Sequence, residues 1–370
     1  MDPIRVLVVD DSVVVRKIVT DVLSADPAIE VVGTAVNGRI AVGKLGQLKP
    51  DLVTMDIEMP EMNGIEAVRA IRATRSRVPI VMFSTLTERG ASATLDALSS
   101  GANDYVTKPA NVGSVAQSME SVREQLIPKI KALTGRPVTA PGPARATAPA
   151  PVRAAPPVPR QGAVKHPAVL VIGSSTGGPE ALARLLPALP AALPVPVLIV
   201  QHMPPVFTRQ FAQRLDRLCA LQVVEAVDGT SLTPGTVHLA PGDHHLTVRS
   251  TGRGQATALN QGPAENFCRP AVDPLFRSAV DAYDGAVLGV VLTGMGSDGR
   301  LGAGRIREAG GAVVVQDQAT SVVWGMPGAV ASAGLADEVL PLDRIAEAIG
   351  RRLAPPRTTA LAPATAGGRR

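Results

Sequence analysis

Short β-branched runs alternate with longer amphipathic stretches from Ile4 to about Ile130, the trace that successive strand–helix units leave when they build a parallel sheet. Five units are legible. Ile4 to Val9, Ile29 to Ala35, Leu52 to Met55, Ile80 to Phe83 and Tyr105 to Thr107 are predicted strands, each followed by a predicted helix. Residues 134 to 167 then hold nine prolines among Ala, Arg, Thr and Gly, too little apolar surface to fold, and predict a semi-extended linker. Val169 to Ile172 opens a second segment of the same kind, with further strands predicted at Val195 to Val200, Ala286 to Leu292 and Ala312 to Val315. Val237 to Ala240 and Leu246 to Arg249, separated by Pro-Gly-Asp-His-His, read as the two arms of a β-hairpin. The predicted organisation is an α/β chain. A five-stranded parallel domain spans 1–127, a Pro/Ala-rich linker 128–166, a doubly wound, mainly parallel domain with a hairpin 167–353, and a disordered tail 354–370.

Composition fits that picture. A chain of 370 residues is long enough for two cores, and 45% hydrophobic residues with only 2% aromatics require aliphatic ones. The net charge of +5 raises the question of a nucleic-acid partner. Residues 134 to 168 and 353 to 370, however, hold eight basic residues and no acid, so the folded body nets −3. A basic groove with interleaved aromatics is therefore not supported. Cys219 and Cys268 lack metal-ligand spacing and are expected to be buried thiols in a reducing compartment. The start, Met-Asp-Pro-Ile-Arg, is no secretory signal, and the uncharged middle from Leu185 to Gln201 with one Arg before it is broken by Pro187, Pro190, Pro194 and Pro196. A cytoplasmic protein is expected.

In a parallel α/β sheet, chemistry collects at the carboxyl ends of the strands. The first predicted strand ends in Asp10 and Asp11, the third in Asp56, the fourth in Ser84 and Thr85, and the fifth in Lys108 followed by Pro109. Three converging carboxylates repel one another unless a divalent cation sits among them, and hard oxygen ligands favour Mg²⁺. With the cation and an ammonium neutralising the equatorial oxygens, a carboxylate can accept a phosphoryl group, and Asp56 stands alone at its strand's end. Leu-Val-Val-Asp-Asp-Ser at 7–12, Met-Asp-Ile-Glu-Met-Pro-Glu-Met-Asn-Gly at 55–64 and Tyr-Val-Thr-Lys-Pro at 105–109 resemble the response-regulator receiver family. That resemblance implies a flavodoxin-like fold and phosphorylation of Asp56 by a histidine kinase. It also implies Mg²⁺ held by Asp10, Asp11, Asp56 and the backbone carbonyl of Glu58, a switch at Ser84 and Tyr105, and a phosphate contact from Lys108.

The second segment places Gly-Ser-Ser-Thr-Gly, centred on Ser175, between a strand and a helix. Such a turn lifts a hydroxyl out of the fold and leaves backbone N–H groups facing a developing oxyanion. It has neither dinucleotide nor Walker spacing, though a phosphate loop or a plain tight turn would read similarly. A serine hydrolase needs a base and an orienting acid. Of the five histidines, His202 follows the strand Val195 to Val200 at the edge where Ser175 emerges. Asp298, in Thr-Gly-Met-Gly-Ser-Asp-Gly, follows the strand Ala286 to Leu292, and could equally cap the helix predicted after it.

The chain order Ser, His, Asp differs from that of common α/β-hydrolases. Gly-Ser-Ser-Thr-Gly-Gly, Gln-His-Met-Pro-Pro-x-Phe-Thr, Ala-Pro-Gly-Asp, Arg-Pro-Ala-Val-Asp-Pro-Leu-Phe, Leu-Thr-Gly-Met-Gly-Ser-Asp-Gly and Trp-Gly-Met-Pro resemble, in order, the chemotaxis protein-glutamate methylesterase family. The resemblance implies a Ser175, His202 and Asp298 triad with Thr176 and Met295 lining the site, and hydrolysis of glutamate methyl esters on methyl-accepting chemotaxis receptors without a cofactor. It further implies glutamine deamidation by the same route and a histidine kinase as phosphodonor. The competing expectation is a phosphorylation-dependent receptor-binding regulator with little esterase activity.

Overall fold

A computed structural model describes residues 2–108, 115–135 and 164–355. Strands β1 (Ile4–Val9), β2 (Ile29–Ala35), β3 (Leu52–Asp56), β4 (Ile80–Ser84) and β5 (Asp104–Thr107) form one parallel sheet in the order β2-β1-β3-β4-β5. Helices α1 (Val13–Ser24), α2 (Gly38–Leu48), α3 (Gly64–Ala73), α4 (Glu88–Ser99) and α5 (Val115–Leu133) cover both faces, so β3 and β4 are buried along their whole length. Four helices begin where short polar side chains can cap them. Ser12, Asn37, Asn63 and Thr87 each accept a hydrogen bond from the backbone N–H three residues on, Asn63 within a capping box with Glu66. The last helix of this unit runs to Leu133, past residue 127, because Pro128 lies inside it without ending it. Most of the expected linker and tail, 136–163 and 356–370, lies outside the described residues.

The second sheet is also parallel throughout. It contains β6 (Val169–Ser174), β7 (Val197–Gln201), β8 (Gln222–Glu225), β9 (Thr236–Leu239), β12 (Val287–Val291), β13 (Ala312–Gln316) and β14 (Glu338–Leu340), in the order β14-β13-β12-β6-β7-β9-β8. The chain leaves β6 toward β7 on one side and returns to β12 on the other, so a crevice opens above the carboxyl ends at this reversal. In the first sheet the same reversal lies between β1 and β3. The helices that matter for the site are α6 (Gly178–Leu185), α7 (Pro205–Leu218), α8 (Val272–Ala282) and α9 (Arg300–Glu308).

The hairpin exists, but with a different partner. Residues 237–239 belong to β9 in the parallel sheet, while β10 (His245–Thr251) pairs antiparallel with β11 (Gly254–Asn260) around a two-residue turn. Sequence proximity favoured the wrong arm because β11, Gly-Gln-Ala-Thr-Ala-Leu-Asn, carries few β-branched residues, whereas its pairing is set by the Gly252-Arg253 turn. The two units also touch. Helix α4 runs beside α7, and Arg214 of α7 donates to Asp96 at 2.6 Å and to Ser99 at 2.9 Å.

Candidate active site

Strands β6 and β7 are paired through Ser174 and Gln201, so Ser175 and His202 leave adjacent strands at the same level, and the His202 N–H donates to the Ser174 carbonyl at 3.2 Å. Gly177, with φ of 77°, turns the chain into α6, a conformation that suits glycine, and Pro179 starts the helix. Gly178 is required for a different reason, since a Cβ there would stand 2.0 Å from Gln201 Oε1. That closeness lets Gln201 tie the edge together. It accepts from Ser174 Oγ at 2.7 Å and donates to the carbonyls of Ser175 at 3.0 Å and His202 at 3.2 Å.

His202 Nε2 lies 2.9 Å from Asp298 Oδ2. The helix that Asp298 caps is not the one after it but α8. Its carboxylate accepts from the N–H groups of Val272 at 2.6 Å and Asp273 at 3.0 Å, and from Gly299 at 2.9 Å and Asn266 Nδ2 at 3.0 Å. Asp273 answers by accepting from the Gly302 N–H in α9 at 2.7 Å, so the two helices cap one another through buried acids. Burial works against the Asp298 charge, but His202 and the α8 N–H groups hold its carboxyl below the usual range. Asp273 is raised, by burial and then by the nearby Asp298 charge.

The second nitrogen of His202, Nδ1, meets Cys268 Sγ at 3.4 Å. Burial alone would push the imidazolium down, yet Asp298 and Cys268 outweigh it and raise the group to about 10. Cys268 is therefore not the buried thiol expected, and both cysteines are only half-buried. Thr176 is buried, and its hydroxyl donates to Asp104 Oδ2 in β5 at 2.6 Å. Met295 is half-buried in the loop after β12, beside Gly294, whose Cβ position would lie 2.8 Å from Ser175 Cβ. A cavity of about 590 Å³ opens on His202 and Cys268 and is walled from the other unit by Tyr105, Thr107, Gln125 and Lys129. Asn266 and Asp273 were not among the sequence candidates, and Cys268 was expected only as a buried thiol. Asp273 was the findable one, an acid at a helix start within Arg-Pro-Ala-Val-Asp-Pro-Leu-Phe.

At the other reversal, one oxygen each of Asp10, Asp11 and Asp56 lies within 4.8 Å of the others. Lys108 reaches Asp56 Oδ1 at 2.8 Å and Asp10 Oδ2 at 3.1 Å. Burial, then the Asp10 charge, raises the Asp56 carboxyl to about 6 despite Lys108. Asp56 Oδ2 is buried without a hydrogen-bond partner among the described residues, and a hard divalent cation suits an all-carboxylate set of this kind. Glu58 turns its side chain outward toward Arg89 at 3.7 Å. Ser84 is buried and donates to the Gly90 carbonyl at 3.0 Å, and Tyr105 stacks on Phe207 of α7 at 4.6 Å between centroids.

Two family models match the chain: CheB methylesterase over residues 170–349 and response regulator receiver domain over residues 6–120. A protein-glutamate methylesterase/protein-glutamine glutaminase from Nocardioides sp. is 65% identical, covering 99% of this chain and 100% of that protein. The chain belongs to the CheB methylesterase family. A second member of that name, from Trichodesmium erythraeum, is 50% identical over 95% of this chain and 100% of its own length. The solved Thermotoga maritima CheB methylesterase catalytic domain is 44% identical, covering 50% of this chain and 97% of that one, with a TM-score of 0.49. The receiver and catalytic units found in the sheets are thus the family's two parts, in the family's order.

Proposed function

We propose that this chain hydrolyses glutamate methyl esters on methyl-accepting chemotaxis receptors, and deamidates receptor glutamines, under control of phosphorylation at Asp56. The observation that carries the reading is the His202–Asp298 pair at 2.9 Å, on the strand edge that also delivers Ser175. Ser175 Oγ attacks the side-chain carbonyl. His202, its Nε2 held by Asp298, takes the hydroxyl proton on Nδ1. Backbone N–H groups at the head of α6, with Thr176 and Met295 alongside, face the oxyanion, and each such donor is worth about a hundred- to a thousandfold in rate. The imidazolium returns its proton to the departing methoxide. Water, deprotonated by His202, then cleaves the acyl-enzyme; from a glutamine the leaving group is ammonia instead.

In the receiver, Asp10, Asp11 and Asp56, with the Glu58 carbonyl, would hold Mg²⁺, which when bound would neutralise charge on the phosphoryl oxygens. Asp56 is the acceptor from a histidine kinase, Lys108 contacts the phosphoryl group, and Ser84 and Tyr105 report it. The unphosphorylated receiver restrains the esterase. The support is the docking of β5 on the site, where Asp104 holds Thr176 and Tyr105 covers Phe207. The reaction belongs on the cytoplasmic side, and no helix among the described residues is long and apolar enough to cross a membrane. Methanol release from methylated receptor membranes tests the activity. Wild type releases it, faster with Mg²⁺ and a small phosphodonor, and Ser175→Ala does not; release by that variant at the wild-type rate overturns the assignment.

A further inference from the structure

Aromatic residues are scarce in this chain, five Phe, two Tyr and one Trp, and all but one are buried or half-buried. Phe267 is 104% exposed. It occupies the second position of a two-residue turn closed by paired backbone hydrogen bonds, Glu265 N–H to Cys268 O at 3.1 Å and Cys268 N–H to Glu265 O at 2.9 Å. Both central residues are left-handed, Asn266 at φ 51° and Phe267 at φ 62°. Such turns favour Asn followed by Gly, and a bulky aromatic at the second place is strained as well as wasted on solvent.

The base of the turn is fixed where its tip is free. Glu265 pairs with Arg277 through two hydrogen bonds of 2.7 and 2.9 Å, Asn266 donates to Asp298, and Cys268 touches His202. The ring therefore projects from a rigid mount on the rim of the cavity that His202 lines. A helix is about 10–12 Å across with its side chains, so an ester carried on a helix side chain reaches toward His202 while the body of the helix lies along the rim. Neighbours of that ester on the same face lie three or four residues away, about one turn, and these are what a rim residue meets.

Resting on the esterase reading above, we propose that Phe267 is the substrate-anchoring residue. Its ring packs on the apolar flank of the helix that carries the reacting glutamate, and its strained turn holds that contact at a set distance from His202. A preformed aromatic anchor loses little freedom on binding, which is how one residue can dominate recognition.

The test uses the full chain activated with Mg²⁺ and a small phosphodonor. It compares wild type, Phe267→Gly and Phe267→Leu in methanol release from methylated receptor membranes, in labelling of Ser175 by a small fluorophosphonate, and in thermal melting. Phe267→Gly is expected to melt no lower than wild type, since it relieves a positive φ. Its labelling rate stays within twofold while KM for the receptor rises at least fivefold at nearly constant kcat, and Phe267→Leu recovers most of the loss. Unchanged KM overturns the proposal. So does a parallel fall in labelling and turnover, which would make the turn a support for His202 and Asp298 only. Wild type that labels normally but releases no methanol removes the esterase reading itself, and the anchor with it.

Discussion

Cys268 is the residue whose chemistry most changes how the site should behave. A base must be neutral to accept the serine proton, and Asp298 together with Cys268 holds His202 up at about 10. Removing the sulfur removes one of the influences that raise it. In Cys268→Ala the acid limb of the kcat/KM profile is expected to move to lower pH, by on the order of one unit, with a gain in rate at pH 7. A limb that stays put or moves up would show that Cys268 does not set the protonation of His202. His238 gives a second pH effect, on stability. Both its ring nitrogens are buried without a hydrogen-bond partner among the described residues, and burial lowers its pKa. The unfolded chain takes up a proton below about pH 6.5 while the folded one does not, so stability contributed above that pH is lost as pH falls toward the folded value. Melting temperatures of wild type and His238→Leu should diverge between pH 7.5 and 5.5, the variant losing less.

At the scale of elements, Asp298 belongs to two helices as much as to the proposed triad. Asp298→Ala leaves the N–H groups of Val272 and Asp273 at the head of α8 without acceptors, a cost of roughly 2–4 kcal/mol, whereas Ser175→Ala should change stability by about 0.5 kcal/mol or less. Chemical denaturation of the two variants separates these effects. Equal stability would mean that water or a shifted backbone replaces the carboxylate. The elements that mattered were largely legible in the sequence. Parallel strands buried on both faces leave continuous β-branched runs, and Ser175, His202 and Asp298 each follow such a run closely. What escaped lies where no period operates. Asn266 and Cys268 sit in an irregular loop whose position is set by long-range bonds to Asp298 and His202, and β11 was hidden by its small and polar residues.

Across the whole molecule, β5 is the shortest strand of its sheet and connects both sites. Asp104 at its start holds Thr176, Tyr105 stacks on Phe207, and Lys108 just past its end holds Asp56, a span of about 13 Å. Loosening the docking without phosphorylation should therefore raise the basal esterase rate. The Arg214–Asp96 pair is partly exposed and worth about 0.2–1 kcal/mol, so Arg214→Ala is expected to give an increase of about 1.4- to fivefold, and Asp104→Ala a larger one. Basal methanol release measures this, and rates equal to wild type in both variants would exclude docking as the restraint. The mutual capping of α8 and α9 has a consequence for descent. An acid that serves the chemistry alone can drift once the chemistry is no longer needed, but Asp298 cannot leave without unseating two helices. Descendants of this fold that abandon hydrolysis should discard Ser175 first and carry Asp298 long after, a relic of catalysis kept by the architecture.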